Sequence, residues 1–310
     1  MRGHTEPDVP LTSRRAVLAA AGTLLGAGCL GLGGDSVHVL SAGSLATTFE
    51  DHVGPAFESE TGTELRGEYF GTNALIRMVE DRTTVPDVVV SADATLLRDR
   101  LAPDWDVTFA SNSLGIGYSP DTAFGEALTS GDGPWYDLVT DLDSGEFAIA
   151  DPDLDPLGYR AVQAFKLAER EHGLDGFRDE VLETAYREPE EPQLMAGVET
   201  GSTAAAVVYR NMAIDHDLPF YEFPPAYNFA DPSLSDHYAT ATYTTDEGYT
   251  ATGRPIVYSA TVYEDAASPA AGRDLVQFLA DSGQLLVDAG LTVGDTLPTA
   301  HGTTPEGITV

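Results

Sequence analysis

Apolar and polar residues alternate along this chain in a pattern that predicts strands followed by helices from residue 37 to about residue 300. Short apolar runs such as Val37–Ser41 and Asp87–Ser91 are typical of buried strands. Leu45–Glu58 and Asn73–Glu80 carry apolar residues at helical spacing, and Ser44 is placed to cap the first of these helices. Strands that alternate with helices predict an α/β fold with mostly parallel sheets.

The alternation continues into the C-terminal part of the chain. Further predicted strands are Glu64–Phe70, residues 107–110, Leu114–Tyr118, Phe147–Ala150, Ala204–Tyr209, Phe220–Phe223 and Pro255–Val262. Further predicted helices cover residues 158–172, 175–185, 193–200 and 275–289, and the polar segment 231–254 has the Thr/Tyr alternation of a surface hairpin. The sequence has no Gly-x-Gly-x-x-Gly turn and no P-loop, which argues against a nucleotide-binding member of this fold class.

The length of 310 residues allows two lobes with separate hydrophobic cores. The late strand near residue 260 indicates that the chain crosses between the lobes twice. We therefore predict one lobe from residues 36–112 plus 254–310, and a second lobe from residues 113–253 that includes the crossover segments. Residues 1–35 are predicted to be an export signal and a linker.

The N-terminal segment has the features of an export leader. Ser13–Leu18 contains the pair Arg14 and Arg15 and resembles a twin-arginine motif, and the apolar run that follows is too short to span a bilayer comfortably. The run ends at Cys29, the only cysteine, in a segment that looks like a lipobox. We expect Cys29 to carry a lipid after cleavage and to anchor the exported protein to the outer face of the cytoplasmic membrane.

The chain is strongly acidic, with 50 Asp and Glu against 16 Lys and Arg and a net charge of −34. Removal of residues 1–28 leaves 13 basic and 48 acidic groups. Such a surface disfavours nucleic acids and acidic partners. Because the charges are spread among apolar segments rather than gathered in a tail, they indicate adaptation to molar salt, which screens repulsion beyond about 3 Å.

Several segments carry the groups that a receptor for an oxoanion needs. Asp151–Arg160 closes a predicted strand and opens a helix, and open α/β sheets bind ligands at the carboxyl ends of their strands. The helix starts after Gly43 and Gly71 offer free backbone N–H groups together with the hydroxyl groups of Ser44 and Thr72. Ordinary helix capping is the simpler explanation of either start when it is considered alone.

Taken together, these segments resemble the molybdate/tungstate-binding components of ABC importers, in particular their archaeal branch. The resemblance covers residues 37 to about 300 and rests on the order and spacing of the following segments: Ala42–Leu45, Gly71–Arg77, Asp87–Asp93, Asp151–Arg160, Glu199–Gly201 with Val207–Tyr209, and Gly253–Tyr258. It implies a two-lobed type II periplasmic-binding-protein fold, with the oxoanion in the cleft between the lobes.

The resemblance also implies roles for particular residues. Ser44, Thr72 and Tyr209 match the positions whose side chains contact the anion in this family. The archaeal branch adds two carboxylates that reach the metal of the oxoanion, and these positions match Asp155 and, by register back from Glu199, Glu191. The implied protein is a monomer that works with an ABC permease and needs no cofactor, since molybdate or tungstate is the transported ligand.

The two carboxylates narrow the choice of ligand. Asp155 and Glu191 repel a nearby anion. Sulfate or phosphate forms no bond to a carboxylate that would offset this repulsion, unless a carboxyl group is protonated. Molybdenum(VI) and tungsten(VI) are large, hard centres that can raise their coordination number from four to six by accepting carboxylate oxygens. Both residues could instead be surface acids, and the choice between Glu190 and Glu191 is open at this stage.

Two other functions stay open. Within the binding proteins, the alternative is a receptor for sulfate, thiosulfate or phosphate. From another class, the alternative is a secreted metal-dependent hydrolase, but the chain has no Gly-x-Ser-x-Gly or His-Glu-x-x-His motif and its seven histidines are scattered. We therefore expect a binding protein rather than an enzyme.

Overall fold

The computed structural model describes residues 36–310. The predicted export signal, its twin-arginine motif and Cys29 lie outside this range, so they stay predictions. Within residues 36–310, no helix is both long enough and apolar enough to cross a membrane.

Strands and helices follow one another through the described part of the chain. The strands are β1 (Ser36–Ala42), β2 (Glu64–Phe70), β3 (Val88–Ser91), β4 (Trp105–Ser111), β5 (Leu114–Tyr118), β6 (Phe147–Ala150), β7 (Tyr186–Glu188), β8 (Ala205–Tyr209), β9 (Phe220–Glu222), β10 (Thr242–Thr244), β11 (Thr250–Thr252), β12 (Val257–Val262) and β13 (Thr299–Gly302). The α-helices are α1 (Gly54–Thr61), α2 (Thr72–Glu80), α3 (Ala94–Leu101), α4 (Ala123–Ser130), α5 (Trp135–Thr140), α6 (Pro156–His172), α7 (Phe177–Thr184), α8 (Leu194–Glu199), α9 (Arg210–Asp215), α10 (Ser235–Tyr238), α11 (Pro269–Asp281) and α12 (Gly283–Asp288).

The first sheet has the strand order β13-β4-β12-β3-β1-β2. β2, β1 and β3 are parallel neighbours, whereas β12 lies antiparallel between β3 and β4, and β13 is antiparallel to β4. β1 to β4 therefore all run in one direction. The two strands from the C-terminal part of the chain run in the other, so the late strand β12 brings the chain back into the first sheet.

The second sheet has the strand order β7-β6-β8-β5-β9. β5 is antiparallel to both of its neighbours, and the other strands share one direction. The strands of the first sheet lie in residues 36–111 and 257–302, and those of the second lie in residues 114–222. Both sets fall inside the ranges predicted for the two lobes, and the limits of those lobes stay a prediction.

The predicted α/β fold, with two sheets flanked by helices, is confirmed. Three local predictions are corrected. The segment predicted as one helix at 275–289 is the pair α11 and α12, and the segment Leu45–Glu58 contains a π-helical stretch, Thr48–Val53, before α1. Ser44 is not an N-cap, because it lies inside a short 3-10 turn, Gly43–Leu45, and its side chain caps no backbone group.

The carboxyl ends of several strands meet where the two sheets face each other. β1 leads into Gly43–Leu45 and β2 leads through Gly71 into α2, both from the first sheet. From the second sheet, β6 leads to the start of α6. The backbone N–H of Ala74 donates a hydrogen bond to the carbonyl oxygen of Leu154 at 3.1 Å, so the starts of α2 and α6 are in direct contact.

Candidate functional site

The predicted site residues all become buried where these strand ends meet. Ser44 and Thr72 come from the first sheet, in the turn after β1 and at the start of α2. The second sheet supplies Asp155 before α6, Glu191 in a 3-10 turn before α8, and Tyr209 at the end of β8. The fold therefore gathers residues that are as much as 165 positions apart in the sequence.

Asp155 is the N-cap of α6 and also reaches across to the first sheet. Its Oδ1 accepts a hydrogen bond from the N–H of Leu157 at 2.6 Å, and its Oδ2 accepts one from the N–H of Thr72 at 3.1 Å. The residue is 2% exposed, and this burial raises the pKa of its carboxyl group to about 6 although both bonds act in the opposite direction. Asp155 is therefore not a surface acid.

Glu191 is 1% exposed, whereas the neighbouring Glu190 is exposed to solvent. Ser44 and Asp155 lie near the Glu191 carboxylate, but no hydrogen bond of good geometry reaches Oε1 or Oε2 from residues 36–310. Burial, followed by the negative charge of Asp155, raises the pKa of Glu191 well above its usual value. A buried carboxyl group without partners is costly, so its oxygens mark a position that a ligand would complete.

Each of the three hydroxyl groups at the site accepts a hydrogen bond from the protein. Ser44 Oγ accepts from the Tyr258 hydroxyl at 3.3 Å, Thr72 Oγ1 from the N–H of Ala92 at 3.2 Å, and Tyr209 Oη from Arg160 Nη1 at 2.7 Å. None of the three makes a further hydrogen bond of good geometry to a residue in the described range, although the Ser44 hydroxyl lies near Glu191 and acts to lower the pKa of its carboxyl group. The hydroxyl hydrogens of these side chains can therefore be donated to a ligand.

Tyr209 remains a donor at any physiological pH. Burial raises the pKa of its phenol well above the usual value, and the negative charges of Asp155 and Glu191 act in the same direction, although Arg160 opposes them. A neutral phenol can donate a hydrogen bond to an anion without adding a charge to the site.

Two glycines let the lobes come close enough to form this site. A Cβ on Gly43 would lie 2.8 Å from Oε2 of Glu191. A Cβ on Gly71 would lie 2.5 Å from the carbonyl oxygen of Leu154 and 2.9 Å from Oδ2 of Asp155. Any side chain at these positions would separate the two sheets at the site, because real Cβ atoms do not approach other atoms so closely.

A cleft of about 530 Å³ opens beside the buried residues and shares Gly43, Ser44 and Gly71 with them. Its wall also contains the acidic residues Glu50, Glu68, Glu190 and Asp215. Burial raises the pKa of Asp215 to about 6. An anion that enters by this route passes carboxylates, so the attraction must come from the hydroxyl and backbone donors inside and not from the rim.

The sequence analysis did not assign a role to the residues that hold the hydroxyl groups. Arg160, Ala92 and Tyr258 support the predicted site residues, and all are buried. Each lies inside a segment that carried the family resemblance, and an arginine just after Asp155 in so acidic a chain was the available signal. Residues 36–310 contain no group of three or more His, Cys, Asp or Glu side chains arranged to hold a metal ion.

Comparisons with known proteins agree with this architecture. The family model for bacterial extracellular solute-binding proteins matches residues 37–291. A solute-binding protein of Halobacterium salinarum is 50% identical over 96% of this chain and 97% of its own length. A putative ABC transporter molybdenum-binding protein of Haloferax volcanii is 37% identical, with 95% and 96% covered. A molybdate/tungstate-binding protein of Pyrococcus abyssi is 29% identical, with 91% and 93% covered.

Among solved structures, the fold is similar to that of the periplasmic molybdate-binding protein of Azotobacter vinelandii. The two superimpose with a TM-score of 0.61 over 84% of this chain and the whole of the other, at 15% identity. At this identity the likeness concerns the fold alone, and that fold is the two-sheet α/β arrangement described above.

Proposed function

Because the chain belongs to the family of bacterial extracellular solute-binding proteins, we propose that it captures tungstate or molybdate outside the cell for an ABC importer. The names of the Haloferax volcanii and Pyrococcus abyssi relatives support this ligand class. The proposal assigns the chain a role in binding and delivery rather than in catalysis.

One observation carries the proposal. Ser44, Thr72 and Tyr209 are buried hydroxyl groups that each accept a hydrogen bond from the protein and keep a hydrogen that can be donated. Three such donors, supplied by both sheets, suit the oxygens of a tetrahedral oxoanion. Because the donors are already oriented, little free energy is lost in ordering them when the anion binds.

Asp155 and Glu191 extend the proposal to the identity of the anion. They are buried beside the hydroxyl donors, and no hydrogen bond of good geometry from residues 36–310 reaches the oxygens of Glu191. Next to sulfate or phosphate this pair would be repulsive. Molybdenum(VI) or tungsten(VI) can accept the carboxylate oxygens as a fifth and sixth ligand, which turns the repulsion into bonding.

Titration calorimetry of residues 36–310 in high salt tests the ligand. We expect submicromolar affinity for tungstate and molybdate, and binding of sulfate at least about 100-fold weaker, which corresponds to roughly 3 kcal/mol. Equal affinity for sulfate would favour the alternative receptor for sulfate, thiosulfate or phosphate.

A variant of Asp155 tests the carboxylate contact. Asp155→Asn keeps an N-cap for α6 through its one oxygen, but it loses the second oxygen, which accepts from Thr72, and it offers the metal no carboxylate. We expect tungstate to bind much more weakly to this variant while sulfate affinity changes little or rises. Unchanged tungstate affinity would remove Asp155 from the coordination of the metal.

We also propose that the exported protein is held at the outer face of the cytoplasmic membrane through a lipid on Cys29, which is the only cysteine. The twin-arginine motif at Arg14 and Arg15 supports this route. Cys29→Ser should move the protein from the membrane fraction into the medium. A variant that stays with the membranes would show that the leader itself, uncleaved, is the anchor.

A further inference from the structure

Arg160 contacts one hydroxyl donor directly and is linked to a second through a single residue, Ala92. Its Nη1 donates to the Tyr209 hydroxyl oxygen at 2.7 Å and to the carbonyl oxygen of Ala92 at 2.9 Å. The N–H of Ala92 in turn donates to Thr72 Oγ1 at 3.2 Å. Arg160 and Tyr209 come from the second sheet, and Ala92 and Thr72 come from the first, so the guanidinium group ties the donors of both sheets together.

A simple ion pair does not account for this arrangement. Arg160 is 1% exposed, and its contact with the buried Asp93, between Nη2 and Oδ2, is 3.5 Å long. The Tyr159 hydroxyl donates to the same Asp93 Oδ2 at 2.6 Å, and Asp93 Oδ1 caps α3. The shortest contacts of Arg160 are therefore to Tyr209 and Ala92. The carboxylate of Asp93 accepts its shorter hydrogen bonds from the Tyr159 hydroxyl and from the first N–H groups of α3.

We propose that Arg160 is a positioning residue for anion capture, because it keeps Tyr209 oriented as a hydrogen-bond donor and fixes that donor relative to Thr72 on the opposite sheet. The hydroxyl oxygen that accepts from the guanidinium group must turn its own hydrogen elsewhere, towards the ligand. The planar guanidinium group fixes the directions of the two N–H bonds of Nη1, one towards Tyr209 and one towards Ala92, whereas the three N–H donors of a lysine ammonium rotate on a flexible side chain. This inference rests on the proposed function and adds a residue to it.

A double-mutant cycle measures whether Arg160 acts through Tyr209. The variants are Arg160→Lys, Tyr209→Phe and their combination, and the readout is the Kd of molybdate by calorimetry in high salt. Each single variant should weaken binding at least tenfold, and the combination should bind no more weakly than Tyr209→Phe alone. A merely structural role would instead make Arg160→Lys weaken binding by the same factor in both backgrounds, and that result would overturn the proposal.

Two further variants keep the test decisive. Arg98→Lys is the matched control, because Arg98 makes a two-pronged contact with buried Asp106 at 2.8 Å for both pairs of atoms and no hydrogen bond to a residue assigned to the site. It should leave the Kd unchanged, and circular dichroism checks that every variant folds. If Arg160→Lys does not fold, Asp93→Asn removes the charge of the ion pair and retains a helix cap.

Asp93→Asn should change the Kd less than threefold, because Tyr209 and Ala92 keep their contacts with Arg160. A loss as large as that of Tyr209→Phe would show that the ion pair matters and would overturn the proposal. A wild-type protein that binds neither molybdate nor tungstate would contradict the proposed function itself, which is a distinct outcome.

Discussion

At the scale of single residues, the buried carboxylate pair has a different free-energy cost in the ligand-free and in the ligand-bound protein. Asp155 and Glu191 are both buried, and burial raises the pKa of each. In the empty site, protons on these groups relieve their mutual repulsion. A ligand that bonds to the carboxylate oxygens relieves the same repulsion, so the buried pair costs more free energy in the absence of the ligand than in its presence.

The stability of the ligand-free protein should therefore fall as the pH rises. The pKa of Asp155 is about 6 in the folded protein and near 3.8 in the unfolded chain, so the folded state holds the proton more firmly. The protonated Asp155 therefore contributes to the free energy of unfolding below about pH 4. This contribution, on the order of 3 kcal/mol in total, is lost as the pH rises through 6. Glu191 acts in the same direction.

Urea unfolding between pH 5 and pH 7.5, in constant high salt, measures this effect. Asp155→Asn is the control, because it keeps the helix cap and removes the titrating group. The variant should show a flatter profile than the wild type across this pH range. Identical profiles for the two proteins would contradict the assignment of the shifted pKa to Asp155.

At the scale of secondary-structure elements, the starts of two helices form the contact between the sheets at the site. The start of α2 presents Gly71 and the N–H of Thr72 to the start of α6, where Asp155 is the cap. Gly71 has φ −55° and ψ 138°, a conformation that any residue can adopt. A glycine is needed there for the close approach of the other sheet and not for the conformation of its own loop.

Gly71→Ala should therefore weaken binding without harming either half of the protein. The added Cβ meets the Leu154 carbonyl oxygen at 2.5 Å only when the two sheets are together. We expect at least a tenfold loss of tungstate affinity, or about 1.4 kcal/mol. Gly294→Ala is the control, since its Cβ would enter open space, and equal affinities for the two variants would contradict the close-approach argument.

At the scale of the whole molecule, the contacts at the site describe a closed form. Thr72 and Asp155 share a hydrogen bond, as do Ala92 and Arg160, and each pair joins the first sheet to the second. Proteins built from two lobes commonly close over a ligand by a hinge motion, and ligand contacts made from both lobes favour the closed state.

Small-angle scattering in high salt tests this motion. Adding saturating tungstate should lower the radius of gyration of the wild-type protein, because the ligand stabilises the closed form. The decrease should be smaller for Gly71→Ala, whose added side chain holds the sheets apart. A profile that stays the same at saturation would show that the empty protein is already closed.

The sequence by itself indicated that strands alternate with helices and which residues to bring together, although it did not predict α3, α4, α5 and α9. Apolar runs predicted β3 at Val88–Ser91 and β6 at Phe147–Ala150, whose residues are all buried, because burial of apolar strands shows in the local pattern. The segment from Asp151 to Arg160 was identified for the same reason, as a strand end followed by a helix start. Family resemblance supplied the distant partners Ser44, Thr72, Glu191 and Tyr209.

Only the tertiary structure decided how these groups are oriented and what surrounds them. Ser44 lies in a turn and receives a hydrogen bond from Tyr258, which is 214 residues away, so no local pattern could separate this role from helix capping. Glu191 is buried and Glu190 exposed although they are neighbours, because the turn faces one of them towards Gly43. Burial and hydrogen bonding between distant segments depend on packing, which periodicity along the chain does not contain.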